Sequence, residues 1–380
     1  MAFSNTQKRV AWLGGVVFCS LTFLFFSVLA QPTRNHSDEL VLEYASVNEN
    51  IFRNGEFVSY LRGDVVFSYD DIRIRSDEAT WRRNDGEVRF RNRVKVERSG
   101  QFFRSNRVDF TSKENIITAR GDFYYYDSLE LVSLSGNQAR YDLEEREFIL
   151  EGSPRLEHYD TAASQTLVIT GHTMNYCDKE KVAGVQGEVK IERGELLALC
   201  NRAYYYTDSA FVKLRVNPSV RYESHDLEGD SVDLFFAEEN LKSAWVKGNS
   251  RVSYIEASDE GDTVFSDIWS DSLFVQMCES GNIDTLFAYG NVLTRYFGSE
   301  DTTRVNKAWG RTMVLAFDTL GKISSAVIRG NARSVYYIDE SDGQGRNEAS
   351  GDSIIVYFDK GRTERIRLSG STRGVYFPQN

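Results

Sequence analysis

Apolar and polar residues alternate in short runs along almost the whole chain, from about residue 40 to residue 378. The pattern is clearest near the C-terminal end. Gly330-Asn331-Ala332-Arg333-Ser334-Val335-Tyr336-Tyr337 is followed by a polar turn and then by Gly351-Asp352-Ser353-Ile354-Ile355-Val356-Tyr357-Phe358. A shorter run, Glu364-Arg365-Ile366-Arg367-Leu368, leads into Gly370-Ser371-Thr372-Arg373-Gly374-Val375-Tyr376-Phe377. The runs are rich in Ile, Val, Tyr and Phe and are bounded by Gly, Asp or Ser, which predicts short strands joined by tight turns. No long amphipathic helical period follows residue 40, so the body is predicted to be all-β.

A Gly- or Asn-led corner recurs through this pattern. It stands at Gly63-Asp64-Val65, Asn92-Arg93-Val94, Gly121-Asp122-Phe123, Gly152-Ser153-Pro154 and Gly187-Glu188-Val189. It continues at Asn217-Pro218-Ser219, Gly248-Asn249-Ser250, Gly290-Asn291-Val292, Gly330-Asn331-Ala332 and Gly370-Ser371-Thr372. Successive starts lie 29, 29, 31, 35, 30, 31, 42, 40 and 40 residues apart. Self-similarity at such a period marks a repeat architecture. The spacing predicts a three-strand unit that adds one rung, so ten rungs at about 4.8 Å would span roughly 50 Å.

Inside the units a four-residue strand segment keeps its second and fourth positions apolar or aromatic. Those positions are Ala79 and Trp81, Val108 and Phe110, Ala139 and Tyr141, Met174 and Tyr176, then Ala203 and Tyr205. They go on as Val232 and Leu234, Leu273 and Val275, Met313 and Leu315, and Ile354 and Val356. Side chains two apart on a strand share a face, so these eighteen are predicted to stack along one inner face. Such a face either fills a dry core or lines an apolar groove that takes an acyl chain.

The N-terminus is of another kind. Lys8-Arg9 precede an uncharged stretch from Val10 to Ala30, and Val28-Leu29-Ala30 resembles a cleavage site. Residues 1–30 read as an export signal or, since 21 apolar-rich residues can span a bilayer, as a retained anchor. Residues 31–39 form a linker and residues 40–378 the repeat array, divisible into sub-arrays at about 40–247 and 248–378. The net charge of −11 becomes −13 without residues 1–30, which hold two cations and no acid. An acidic exported protein is a poor nucleic-acid binder. Outside the leader there are three cysteines, Cys177, Cys200 and Cys278, an odd number without metal spacing, read as packing residues.

Charge is uneven along the array. Residues 82–107 carry Arg82, Arg83, Arg89, Arg91, Arg93, Lys95, Arg98, Arg104 and Arg107 against three acids, or +6. Residues 256–301 carry ten acids against Arg295, or −9. The basic stretch, Arg82 to Lys95 above all, is a candidate contact for a phosphorylated head group or an acidic partner; a solvated face explains it as simply. The histidines His36, His158, His172 and His225 lack metal-ligand spacing and read as surface or turn residues. No nucleophile elbow, phosphate-cradling loop or calcium repeat is found, so no catalytic residue, metal or cofactor is assigned. The Tyr124-Tyr125-Tyr126 and Tyr204-Tyr205-Tyr206 runs are expected to put one ring inside and two outside.

The corners and the Gly-Asn-x-x-x-Val-Tyr-Tyr closure resemble the OstA-like, LptA-type (organic solvent tolerance) domain of lipopolysaccharide-transport proteins. Gly63 to Phe67 with Ser76 to Trp81, and Gly330 to Tyr337 with Gly351 to Phe358, carry the resemblance best. It implies an elongated β-jellyroll of stacked V-shaped rungs whose apolar interior shields the acyl chains of lipopolysaccharide in the periplasm. It also implies end-to-end joining to other transport components, or self-stacking, by β-augmentation. The chain departs from the family in its length, in its last units of about 40 residues, and in lacking a long run of membrane-barrel strands. A structural or adhesive β-solenoid with a filled core, and a polysaccharide-active β-helix enzyme, are the rival expectations.

Overall fold

The structure, a computed structural model, describes residues 39–378 apart from 54, 162–163, 238–239, 258–262, 299–302, 341–342 and 360–361. The predicted leader lies outside the described residues. Among those described, no helix is long and apolar enough to cross a membrane.

The described chain is all-β. Its strands are β1 (Val41–Tyr44), β2 (Val47–Arg53), β3 (Glu56–Tyr69), β4 (Ile72–Arg82), β5 (Glu87–Arg98), β6 (Gln101–Thr111), β7 (Ile116–Asp127), β8 (Val132–Asp142) and β9 (Glu147–Glu151). Then come β10 (Arg155–Asp160), β11 (Gln165–Thr170), β12 (Thr173–Cys177), β13 (Val182–Arg193), β14 (Leu196–Tyr206), β15 (Phe211–Arg215), β16 (Ser219–Tyr222), β17 (His225–Glu228) and β18 (Ser231–Ala237). The last are β19 (Asn240–Ala257), β20 (Thr263–Met277), β21 (Ile283–Gly298), β22 (Asn306–Phe317), β23 (Ile323–Glu340), β24 (Gly343–Asp359), β25 (Arg362–Ser369) and β26 (Arg373–Pro378).

All pairing is antiparallel and follows chain order. Most strands bend near the middle, so that one half pairs in one wall and the other half in a second wall. The halves of β3 show this: Glu56 to Arg62 pair with β2, and Val66 to Ser68 pair with β1. Six pairs of short strands, β1/β2, β9/β10, β11/β12, β15/β16, β17/β18 and β25/β26, are likewise two halves of one bent strand. Subtracting six from 26 leaves twenty bent strands. We call the wall built on β2 wall A and the wall built on β1 wall B.

This corrects the unit read from the sequence. The period of about 30 to 40 residues is one hairpin of two bent strands, not three strands forming one rung. Twenty strands replace ten rungs, so nineteen spacings of about 4.8 Å give a span of roughly 90 Å instead of 50 Å. Residues Asp38–Asn380 form one compact unit, and β19 pairs with β20 on both sides of position 247.

The corners are β-bulges. Arg62 faces Glu78 and Val65 faces Ser76, so Gly63 and Asp64 stand against Asp77 alone. The two-against-one count bends and twists the strand. It also requires a left-handed backbone, and Gly63 and Asp64 have φ of 75° and 49°. The same left-handed pair occurs at each of the ten corners, from Asn92-Arg93 to Gly370-Ser371. One corner is displaced by a residue from the reading above: the pair is Val216-Asn217, not Asn217-Pro218. The intervening strands turn without special φ, and their corner side chains lie over the neighbouring glycine, as Ser46 does over Gly63 and Asn137 over Gly152.

Val216, a β-branched residue at φ 65° and 49% exposed, bears strain that glycine would not. Val216→Gly is expected to raise unfolding stability by about 1 kcal/mol, and Gly290→Ala, at φ 73° with Asp271 lying over it, to lower it by at least about 1 kcal/mol. Urea denaturation followed by circular dichroism measures both.

Candidate functional site: the trough between the walls

The bulges hold every strand in register, so inward residues form rows that run the length of the array. In wall A one row passes through Leu61, Ala79, Phe90, Val108, Ala119, Ala139, Leu150 and Met174 and ends in Met313, Ile328, Ile354 and Leu368. The row beside it carries Trp81, Phe110, Tyr141, Tyr176, Tyr205, Leu234, Val275, Leu315 and Val356. The eighteen residues singled out from the sequence all fall in these two rows. Their partners on the alternate strands, such as Phe90, Leu150, Val185 and Ile328, were missed because the period was read at two strands instead of one.

Wall B was not read from the sequence, and it divides the interior into two parts. Its inner row runs from Leu42 through Phe67, Ile74, Val96, Phe103, Tyr125, Leu134, Leu156 and Ile169 to Ile191, Ala198, Val220, Leu227, Val252 and Ile268. From Phe67 to Ile268 every member is buried. The row then continues as Thr294, Ala308, Ser334, Ala349 and Gly374. Those five are small, and each is at least partly exposed. Across from them wall A keeps Met313, Leu315, Ile354 and Val356.

In the longer part the walls meet. Phe67 packs edge-on against Trp81 and Phe90, at 5.3 and 5.4 Å, and Phe103 against Phe148 at 6.4 Å. Tyr141 stacks on Phe148 at 4.0 Å. Burial of such rings contributes about 1.5–3 kcal/mol each. Tyr125 and Tyr205 point inward while Tyr124, Tyr126, Tyr204 and Tyr206 are half-exposed, as expected for both tyrosine runs.

The free margins of the two walls are tied together by polar groups. Gln101 of wall B donates to Asp127 at 2.7 Å and to Asp178 of wall A at 3.3 Å. Asp178 is buried, pairs with Arg146, and accepts from Lys181 at 3.0 Å; Lys181 reaches Glu130 of the opposite margin at 3.2 Å. Burial pushes the Asp178 carboxyl up, but Lys181, Arg146 and Gln101 outweigh it and hold the group below its ordinary value. Further along, Tyr69 donates to Asn115 at 2.6 Å, His158 meets the Tyr205 hydroxyl, and the Arg193 guanidinium covers the Phe236 ring at 4.8 Å. Burial lowers the pKa of His158 and of His225, which stacks on Tyr254. These two histidines are half-buried parts of the margin, not the surface or turn residues expected; His172 is an exposed corner residue, and His36 lies outside the described residues.

The basic stretch does not form an end of the array, since β1 and β2 precede it. Arg82 and Arg91 are exposed, Arg83 lies over Trp81 at 4.5 Å, and Arg89 is 3.9 Å from Glu87. Arg93 is clamped on Asp77 at 2.6 Å and Lys95 on Glu97 at 2.6 Å. Arg93, Lys95 and Arg104 line a surface depression of about 630 Å³ outside the corner, away from the trough. Cys177, Cys200 and Cys278 are unpaired thiols.

No family model matches the chain, and no curated protein matches it. Among solved structures it is similar to LptH of Pseudomonas aeruginosa, described as the LptA-homologous periplasmic component of the conserved lipopolysaccharide transport device. Identity is 14%, the match covers 30% of this chain and 82% of that one, and the TM-score is 0.29. A likeness that distant supports no argument about this chain.

Acid is expected to loosen the margin in two steps. His158 and His225 have folded pKa values below the ordinary 6.5, so as pH falls through 6.5 the unfolded chain takes up protons first and stability drops. Asp178, held below its ordinary 3.8, adds a second loss as pH falls further through that range. Urea midpoints at pH 8, 5.5 and 3.5 check the order. Asp178→Asn is expected to cost about 1–3 kcal/mol at pH 8 and to flatten the second step.

Proposed function

We propose that this protein is a non-enzymatic periplasmic carrier in lipopolysaccharide transport to the outer membrane, with acyl chains lying in the trough of its last five bent strands. The observation that carries this reading is the change in the wall B row from large buried residues to Thr294, Ala308, Ser334, Ala349 and Gly374, opposite an apolar wall A. Met313, Leu315 and Ile354 are already buried and Val356 and Leu368 only partly so, and an acyl chain would gain roughly 25 cal/mol for each Å² of apolar surface it covers there. The resemblance in the corner motifs points the same way. The export-type leader supports a periplasmic site, with inner-membrane anchoring if the leader is retained.

Partners would join end to end. The first bent strand, β1/β2, pairs only with β3, and the last, β25/β26, only with β24, so each wall has an open edge at both ends among the described residues. Exposed apolar side chains stand there, among them Tyr44, Phe52, Tyr376 and Phe377. Open edges of this kind accept a further strand. Lipopolysaccharide-transport components, or further copies of this chain, are the proposed partners. A filled-core structural or adhesive solenoid is the second reading, favoured by the ring packing across the walls from Phe67 to Phe148.

Mass spectrometry of lipid extracted with the purified protein tests the carrier. Near-stoichiometric lipopolysaccharide or a related acylated glycolipid is expected. Ala308→Phe fills the trough without burying a charge and should lower the lipid content by at least about half, with an unchanged circular dichroism spectrum. A lipid-free protein that also fails to take up added lipopolysaccharide would replace the carrier by the scaffold.

A further inference from the structure

The outer surface of wall A changes character along the array. Its central outward row is polar or charged at most strands of the first part, with Arg89, Asp109, Thr118, Arg140, Lys213 and Asp233 among its members. From β19 onward the same row reads Trp245, Phe274, Phe287, Val314, Val327 and Ile355 on six consecutive strands. The rows on either side are mostly Ser, Thr, Gln, Ala and Tyr. Across β19 to β25 the three outward rows of wall A contain no carboxylate, and their only charged members are Lys247, Arg329, Arg365 and Arg367. The chain as a whole holds 56 acids against 45 bases, so a carboxylate-free face with four cations departs from the background. Wall B over the same strands mixes both signs: Asp267 is held by Arg251 at 2.9 Å and by Arg295 at 2.8 Å, and Glu348 by Arg346 at 2.8 Å.

We propose that this outer face of wall A rests on an anionic lipid bilayer surface. Six strands, five spacings of about 4.8 Å, make an apolar row roughly 24 Å long, with hydroxyls, amides, rings and cations in the rows beside it and the Asp284 carboxylate at the margin, accepting from Thr285 at 3.0 Å. Trp and Tyr favour the level of the head groups, and Arg329, Arg365 and Arg367 complement anionic lipid, while Lys247 lies 3.6 Å from Asp233 of the neighbouring strand. Trp245 and Tyr289 lie in this face; Lys247 sits 5.4 Å from the Trp245 ring and Arg365 4.2 Å from the Tyr357 ring. A second copy fits worse. A two-fold interface apposes the patch to itself, and these three rows would offer the partner copy's cations no carboxylate. The proposal concerns the outside of wall A and stands whether or not the trough inside it holds lipid.

Hydroxyl-radical footprinting of the full chain, read by mass spectrometry, tests it residue by residue. With vesicles containing phosphatidylglycerol, oxidation of Trp245, Phe274, Phe287 and Tyr289 is expected to fall at least about threefold, while Phe102 and Tyr126 near the other end keep theirs. Vesicles of phosphatidylcholine alone should protect none of them. Arg329→Glu with Arg367→Glu, both at exposed positions, should raise the lipid concentration needed for half-maximal protection by at least about tenfold, because each cation near an anionic surface is worth roughly fivefold in affinity. The residue-level readout matters because residues 10–30 could tether the chain to vesicles; tethering without protection of these four side chains would overturn the proposal. Equal protection by neutral vesicles would overturn it too. So would protection that appears without vesicles as protein concentration rises, or with polyglutamate and not with vesicles, either of which would assign the face to a protein partner.

Discussion

The two-against-one bulge at the corner is the constraint on which the rest depends. A strand slipped by one residue would turn its apolar set outward. Here ten left-handed pairs, one on every second bent strand, fix where each strand turns from wall A to wall B. The result is a row that can be followed across all twenty bent strands, from Leu42 to Gly374, without losing its face. Interior and exterior chemistry can therefore change along the array while the fold continues.

That separation explains how one fold carries two interiors. From Phe67 to Ile268 aromatic and branched side chains of both walls interlock, and Gln101, Asp127, Asp178 and Lys181 close the margin above them. This part behaves as a filled beam. Past Ile268 the central inner row of wall B gives up volume, while the row beside it keeps Tyr296 and Tyr336 and Tyr254 meets Phe317 of wall A at 6.4 Å, so the trough is confined to that central row. The outer face of wall A turns apolar over the same strands, so β20 to β24 carry apolar side chains on both faces, as strands covered on both sides do.

Much of this was legible in the sequence. The corners could be read because Gly and Asn are the residues that tolerate positive φ; Val216 hid one corner, since nothing in a valine announces a left-handed backbone. The inner positions of wall A followed from alternation alone. The strand count did not follow, because the alternate corners, from Ser76-Asp77 and Ser105-Asn106 to Gly351-Asp352, need no positive φ, and their recurring small-then-polar pair does not by itself announce a bend. Wall B escaped for a related reason: whether a row of small residues faces a filled or an open interior depends on what stands across from it, and that is set by bending. His158 and His225 looked like turn residues because their burial comes from Tyr205 and Tyr254, 47 and 29 residues away in sequence.

A photo-crosslinking residue placed at Ser334, inward in the trough, and separately at Ser350, its outward neighbour on wall B, distinguishes a lipid-bearing interior from a filled one. In cells, an adduct with the mass of an acylated glycolipid is expected at Ser334 and none at Ser350. No adduct at Ser334, or equal adducts at both positions, would contradict a lipid-bearing interior.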